Sequence, residues 1–354
     1  WPLVPLFSPA LPSRSRIKQL VRTVLASGVT AAAALVIIEI PEAVESIHSY
    51  RRYEHDTLQE RPAGDLTFGL KVFPELRGAP PPIAITNDLA LADSLGVDAI
   101  AVVVDPEGAR GKALDSLAHV LDNLRQDSTT IIVTLGYSER ARTELRRSQA
   151  MYIEDRLADV NRLTRALRPT IFLPAYEPYG EGARTLGVQP PEFWISYIRR
   201  AASIVHHVNP NIKVGVAAAS YGARDSVVYS WAAARTSPVD IVGFSLMPGF
   251  DGATSLDTHI RIARRWLQSS RHPKPHWIWA AGGYPIAHGT QSQVLALRGV
   301  LSWASTQEVI QGVVLTDAGD YDAQRGLRGS DGQFRPALHE VLRVINSLRE
   351  SAAQ

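Results

Sequence analysis

The stretch His276-Trp277-Ile278-Trp279-Ala280-Ala281-Gly282-Gly283-Tyr284-Pro285 sets the pattern for the chain. Five apolar or aromatic residues run without a charge after His276 and stop at a glycine pair. A short apolar run without alternation, closed by Gly and Pro, reads as a strand covered on both faces. Working outward, seven more such runs follow the same plan: Leu66–Phe73, Asp98–Val104, Thr130–Leu135, Thr170–Ala175, Lys213–Ala218, Asp240–Leu246 and Gln311–Thr316. Between them lie helical spacings, clearest at Leu114, Leu117, Ala118, Leu121 and Leu124, and looser at Phe193, Ile195, Tyr197, Ile198 and Ile204.

Strands alternating with helices imply parallel βαβ units. Eight of them in one domain predict an α/β fold of the (β/α)8 TIM-barrel type. The competing doubly wound sheet announces itself with a glycine-rich first turn. Here Phe73-Pro74-Glu75-Leu76-Arg77 follows the first strand, and neither GxGxxG nor a Walker A sequence occurs.

Composition bounds the rest. The chain has 354 residues, 45% hydrophobic, with mean hydropathy −0.05, which describes a globular protein with a sizeable core. A formal charge of +2 and the lack of basic runs interleaved with aromatics argue against a nucleic-acid partner. Without cysteine there are no disulfides, thiolate metal sites or thiol catalysis. His206 and His207 are adjacent and diverge on a helix, His272, His276 and His288 lack ligand spacing, and no GxSxG occurs. No metal or cofactor is expected.

The N-terminal part differs in kind. Thr23–Ile38 carries no charge and follows Arg14, Arg16, Lys18 and Arg22. Extended by Leu20, Val21 and Ile40, it approaches the ~20 residues of a membrane span. A signal peptide or a buried helix would be alternatives, but no small-x-small cleavage site follows and the basic flank is one-sided. We expect a single-pass anchor over residues 1–40 with the N-terminus cytoplasmic and the remainder periplasmic or extracellular. Trp1–Phe7 is apolar and broken by Pro2 and Pro5, which suits contact with the membrane interface or a neighbouring subunit. Residues 41–64 read as an amphipathic spacer, with Pro41, Glu42 and Glu45 suited to a first helical turn. The barrel is expected over 65–354.

Chemistry in such a barrel sits after the strands' C-terminal ends. Leu173-Pro174-Ala175-Tyr176-Glu177-Pro178-Tyr179, the Gly283-Tyr284-Pro285 after the seventh strand, and Asp331-Gly332-Gln333-Phe334-Arg335-Pro336-Ala337 occur in the order found in a family. Together they resemble the TIM-barrel glycoside hydrolase clan of cellulases and β-glycosidases. The resemblance implies that Glu177 is the general acid/base. It also implies a nucleophilic glutamate two residues before Gly-Tyr-Pro, where this chain has Ala281, and a sugar-gripping asparagine before the acid/base, where it has Tyr176.

Retaining hydrolysis needs carboxyl groups ~5–5.5 Å apart and inverting hydrolysis ~6.5–9.5 Å. Substitute acids on the same rim are Asp105, Glu107, Glu181, Asp251, Asp317, Asp320 and Asp322. Tyr137, Tyr176, Tyr179, Tyr221, Phe250, Tyr284 and Tyr321 could stack on sugars at the barrel mouth or fill an interface. The reading that follows is a degenerate, non-catalytic member: a membrane-anchored structural subunit of a membrane complex, with a photosynthetic reaction-centre or antenna assembly one candidate. The alternative is an anchored hydrolase of envelope polysaccharide acting through Glu177.

Overall fold

The computed structural model describes residues 24, 25, 27, 28, 49–62, 64–75, 78–249, 251–269, 274–321 and 323–350. The chain divides into two units, Trp1–Ser49 and Tyr50–Gln354, and the second holds the barrel. The expected anchor, apart from four residues, and the Trp1–Phe7 segment lie outside the described residues. Among the described residues no helix is long and apolar enough to cross a membrane.

Eight parallel strands close in sequence order: β1 (Thr67–Lys71), β2 (Ala99–Val104), β3 (Thr130–Leu135), β4 (Ile171–Leu173), β5 (Lys213–Ala218), β6 (Ile241–Leu246), β7 (His276–Ala281) and β8 (Ile310–Leu315), with β8 pairing back onto β1. Each expected strand is present. The ends are trimmed where prolines and turns intervene, most at β4, which stops before Pro174. The helices are α1 (Pro82–Leu95), α2 (Gly111–Gln126), α3 (Ala141–Arg147), α4 (Gln149–Leu167), α5 (Glu181–Leu186), α6 (Pro191–Val208), α7 (Ala223–Ala233), α8 (Ala253–Ser269), α9 (Pro285–His288), α10 (Thr290–Ser305) and α11 (Pro336–Glu350). Their apolar faces match the spacing: Leu114, Leu117 and Leu121 of α2 are buried, as are Phe193, Tyr197 and Ile198 of α6.

The barrel interior is filled unevenly. Trp277 and Trp279 of β7 both enter it, stacked with centroids 5.3 Å apart, and meet small residues such as Ala99, Ala101 and Ala217. Glycines make the room. A methyl on Gly312 would lie 2.4 Å from the Trp277 ring, and one on Gly243 would come within 2.5 Å of Trp279 Nε1. Two indoles on one strand thus require bare backbone on both its neighbours.

The same crowding shifts the register. Phe244 pairs with Ile278 but Ser245 pairs with Ala280, so Trp279 is an extra residue, a β-bulge. Beyond it Ala281 sits opposite Leu246 and Leu315. It is fully buried and packs in the outer cluster with both, between sheet and helices.

From Tyr50 onward, residues expected as spacer belong to the barrel unit. Tyr50 and Tyr53 are buried, with the Tyr53 ring against Gly299 of α10. Arg298 donates to the carbonyl of Glu54 at 2.8 Å. The buried Arg61 guanidinium donates to the carbonyls of Ala304, Gln307, Glu308 and Ile310. The segment thus runs along the helix layer from His288 past Gly299, and only its end, at Arg61, reaches the base of the barrel, an arrangement that a hydrophobic-periodicity reading does not reveal.

Candidate functional site

At the C-terminal mouth, β1 ends in Lys71 and β8 is followed by Asp317, both buried. Lys71 Nζ lies 3.3 Å from Asp317 Oδ1 and 3.5 Å from Glu75 Oε1. Arg325, on the loop after β8, donates from Nε to Asp317 Oδ2 at 2.7 Å. Burial by itself would raise the Asp317 carboxyl, but Lys71 and Arg325 hold it below its ordinary value. Burial likewise works against the Lys71 charge, and Asp317 more than restores it. The three form one ion cluster on the barrel axis, with Lys71 Nζ 5.8 Å from the centre of the Tyr176 ring.

Glu177 follows Tyr176 in a left-handed conformation, φ 46°, which a non-glycine residue adopts at a cost of about 1 kcal/mol. Its carbonyl accepts from the backbone N–H of Gly180 and of Gly182, both at 3.0 Å, which closes the turn. Its carboxylate lies over Gly180, where a methyl would come within 2.5 Å of Oε2. No hydrogen bond or ion pair to that carboxylate is found among the described residues. Burial raises the Tyr176 hydroxyl above its usual value, and the Glu177 charge adds to this.

Glu177 and Tyr176 line a cleft of about 210 Å³ together with Glu75, Glu181, Tyr284, Arg325, Ser245, Met247 and His259. His259, from α8, stacks on Tyr221 at 4.4 Å, and its Nδ1 is 3.2 Å from the carbonyl of Met247. A carbonyl can only accept, so Nδ1 carries the proton. Burial keeps the ring neutral, which leaves Nε2 an acceptor. The Ser245 hydroxyl is buried with no partner among the described residues.

Of the residues expected at the mouth, Tyr176, Glu177, Glu181 and Tyr284 line this cleft, and Asp317 lies behind Arg325. Glu181 is held by Arg184 and accepts from the Thr185 hydroxyl at 3.0 Å. The other expected residues make contacts elsewhere on the rim. Tyr137 lies edge-on to Trp194 and 4.7 Å from the Arg156 guanidinium, with its hydroxyl beside Gly182 under the Glu177 turn. The Tyr179 hydroxyl donates to the carbonyl of Gln189, and that of Tyr221 to the carbonyl of Ser245. Tyr321 donates to Asp88, and Asp320 is bound by Arg335, so both fasten the β8 loop. Asp251 is an exposed turn residue, and Asp105 accepts from the N–H of Gly108. Glu107 lines a separate hollow with Arg110 and Arg140. Phe250, Asp322 and His272 lie outside the described residues. Ala281 faces the helix layer, and Ala280, paired with Ser245, is the residue of β7 nearest the mouth on the inner side.

Sequence reasoning missed Lys71, Ser245, His259 and Arg325. Lys71 and Ser245 carry a signal, since each is a polar residue at the inward parity of an otherwise apolar strand. Among the described residues no three His, Cys, Asp or Glu side chains converge on a metal site. His206 pairs with Asp240 at 2.9 Å, and His276, whose Nδ1 donates to the carbonyl of Lys274, accepts at Nε2 from the Tyr229 hydroxyl at 2.9 Å.

A closed eight-strand parallel barrel with a polar cleft at its C-terminal mouth defines a TIM barrel. No protein-family model matches the sequence, and neither does any curated protein. Solved glycoside hydrolases do share the fold. GH5_18 from Streptomyces cattleya, in complex with Manb1-4GlcNAc, superposes with TM-score 0.63 at 16% identity, over 82% of this chain and 81% of that one. The beta-glycosidase BGL167 gives 0.59 at 16% identity, over 82% and 97%. The exo-beta-1,4-mannosidase Op5Man5 from Opitutaceae bacterium strain TAV5 gives 0.56 at 15%, over 84% of this chain. The chain spans only 62% of that mannosidase's length. At such identities the likeness establishes the fold.

Proposed function

We propose that this chain is a glycoside-hydrolase-like barrel that does not hydrolyse glycosides. Its mouth holds carbohydrate, and its role is structural, as an accessory subunit of a membrane protein complex. The observation that carries the reading is the end of β7, where Ala280, Ala281, Gly282 and Gly283 offer no carboxyl group. The acids that could stand in are engaged: Asp317 by Lys71 and Arg325, Glu75 by Lys71, Glu181 by Arg184. Retention needs a second, free carboxylate ~5–5.5 Å from the acid/base. Anchoring rests on the uncharged Thr23–Ile38 run and its basic flank, and a bioenergetic assembly, such as a photosynthetic reaction centre with its antenna, is one candidate.

The experiment is turnover of aryl glycosides and envelope glycans by the detergent-solubilised full chain, beside a Glu177→Gln control. The expected result is equal, background-level release from both. Gentle detergent extraction should also return the protein in a large defined complex, and recovery of free monomer alone would end the subunit reading. A second reading, hydrolysis with Glu177 as acid, is favoured by one observation: its carboxylate lines the cleft without an ion-pair partner. Release that Glu177→Gln abolishes would establish that reading instead.

A further inference from the structure

We propose that Arg325 makes the cleft selective for a sugar acid, a pyranose that carries a carboxylate, over its neutral counterpart. The inference rests on the carbohydrate reading of the mouth and adds the ligand's chemical class. Arg325 lines the cleft with a side chain only 13% exposed. A guanidinium has five N–H donors, and here Nε alone is spent, on Asp317. No hydrogen bond from either Nη group is found among the described residues. A ligand that displaces cleft water must therefore supply acceptors to them, since an unmatched buried donor is costly.

The fork is also fixed in place. Gln293 Nε2 donates to the carbonyls of Arg325 and Gly326, at 2.9 and 3.3 Å. The N–H of Gly326 donates to Asp320, and the N–H of Leu327 to the carbonyl of Asp317. Lys71 behind it pairs with both Asp317 and Glu75, so the charges of the cluster are balanced, and what is left for a ligand is the pair of Nη groups. A planar carboxylate matches such a fork through two parallel, charge-assisted bonds, which a hydroxyl cannot make. Glu177 and the Nε2 of His259 are acceptors, suited to the ring hydroxyls of the same ligand. A cleft of about 210 Å³ is of the size of one ring rather than a chain.

Isothermal titration of the solubilised full chain with methyl glucuronide and methyl galacturonide, against methyl glucoside and methyl galactoside, tests this. We expect at least one uronide to bind about tenfold tighter than its neutral partner. Arg325→Lys keeps the positive charge beside Asp317 but removes the fork, and should bring the pair to within about twofold. Equal affinities in the unaltered chain, or a preference that survives Arg325→Lys, would overturn the role of Arg325 and leave the carbohydrate reading standing. No binding of any of the four would overturn both. The comparison in the unaltered chain decides even if the variant fails to fold.

Discussion

Arg156 shows how one side chain can organise the rim without touching the cleft. It is buried on α4, and its guanidinium donates to the carbonyls of Gly136, Leu135 and Pro174, which tie the ends of β3 and β4 together. The rings of Tyr137, Tyr152 and Tyr197 surround it at 4.7, 5.9 and 5.4 Å. Replacement by leucine leaves the Gly136 and Leu135 carbonyls without this donor, at about 1–3 kcal/mol each before relaxation, while Pro174 keeps the Tyr197 hydroxyl at 2.8 Å. Arg156→Leu should therefore lower unfolding free energy by about 2 kcal/mol or more in urea titrations. A loss under about 1 kcal/mol would mean that water replaces the side chain. Residues of this kind were invisible in the sequence, where Arg156 is one basic residue on an apparently amphipathic helix. Glu177 and Tyr284 were legible because short motifs carry them, whereas Arg325 reaches the cleft only once a long loop has closed.

At the scale of elements, the strands were legible because being covered on both faces imposes largely apolar runs, interrupted only at single positions such as Lys71, Thr134, Ser245 and Gln311. What such a run cannot convey is parity. Period two places Trp277, Trp279 and Ala281 on one face of β7, yet the bulge at Trp279 sends Ala281 to the other. The cause lies on other strands, in the glycines that let both indoles inside, and no local pattern encodes it. This makes a double-mutant cycle informative. Gly312→Ala drives a methyl into the Trp277 ring, so it should cost at least 1–3 kcal/mol, as overpacked cores do. In a Trp277→Leu background the same change should cost much less, and strict additivity of the two in thermal or urea unfolding would disprove the coupling.

For the whole molecule, two buried groups contribute to acid sensitivity. Burial lowers the His276 imidazole to about 4, against about 6.5 when unfolded. The unfolded chain thus binds the extra proton, so stability is full above about pH 6.5 and declines as pH falls toward 4. Burial opposes the Glu340 charge, but Arg298 and Arg343 draw its carboxyl down to about 2. Its contribution is present above about pH 4.3 and is lost as pH falls toward 2. Urea midpoints across this range should show both declines, and His276→Gln should flatten the first alone. An unchanged slope in that variant would remove His276 as its source.

The fastening of Tyr50–Arg61 to α10 and to the turn before β8 has a mechanical meaning as well. A closed sheet has no edge strand to peel, so tension applied at residue 50 cannot unzip the barrel one hydrogen bond at a time. The load passes instead into the Tyr53–Gly299 contact and the Arg61 bonds to the turn between α10 and β8. The contacts at Tyr53, Glu54, Gln59 and Arg61 succeed one another along the chain, so such a load meets them in turn, and only the bonds of the single Arg61 guanidinium share it. A chain that enters its domain this way meets its most multiply bonded anchor last.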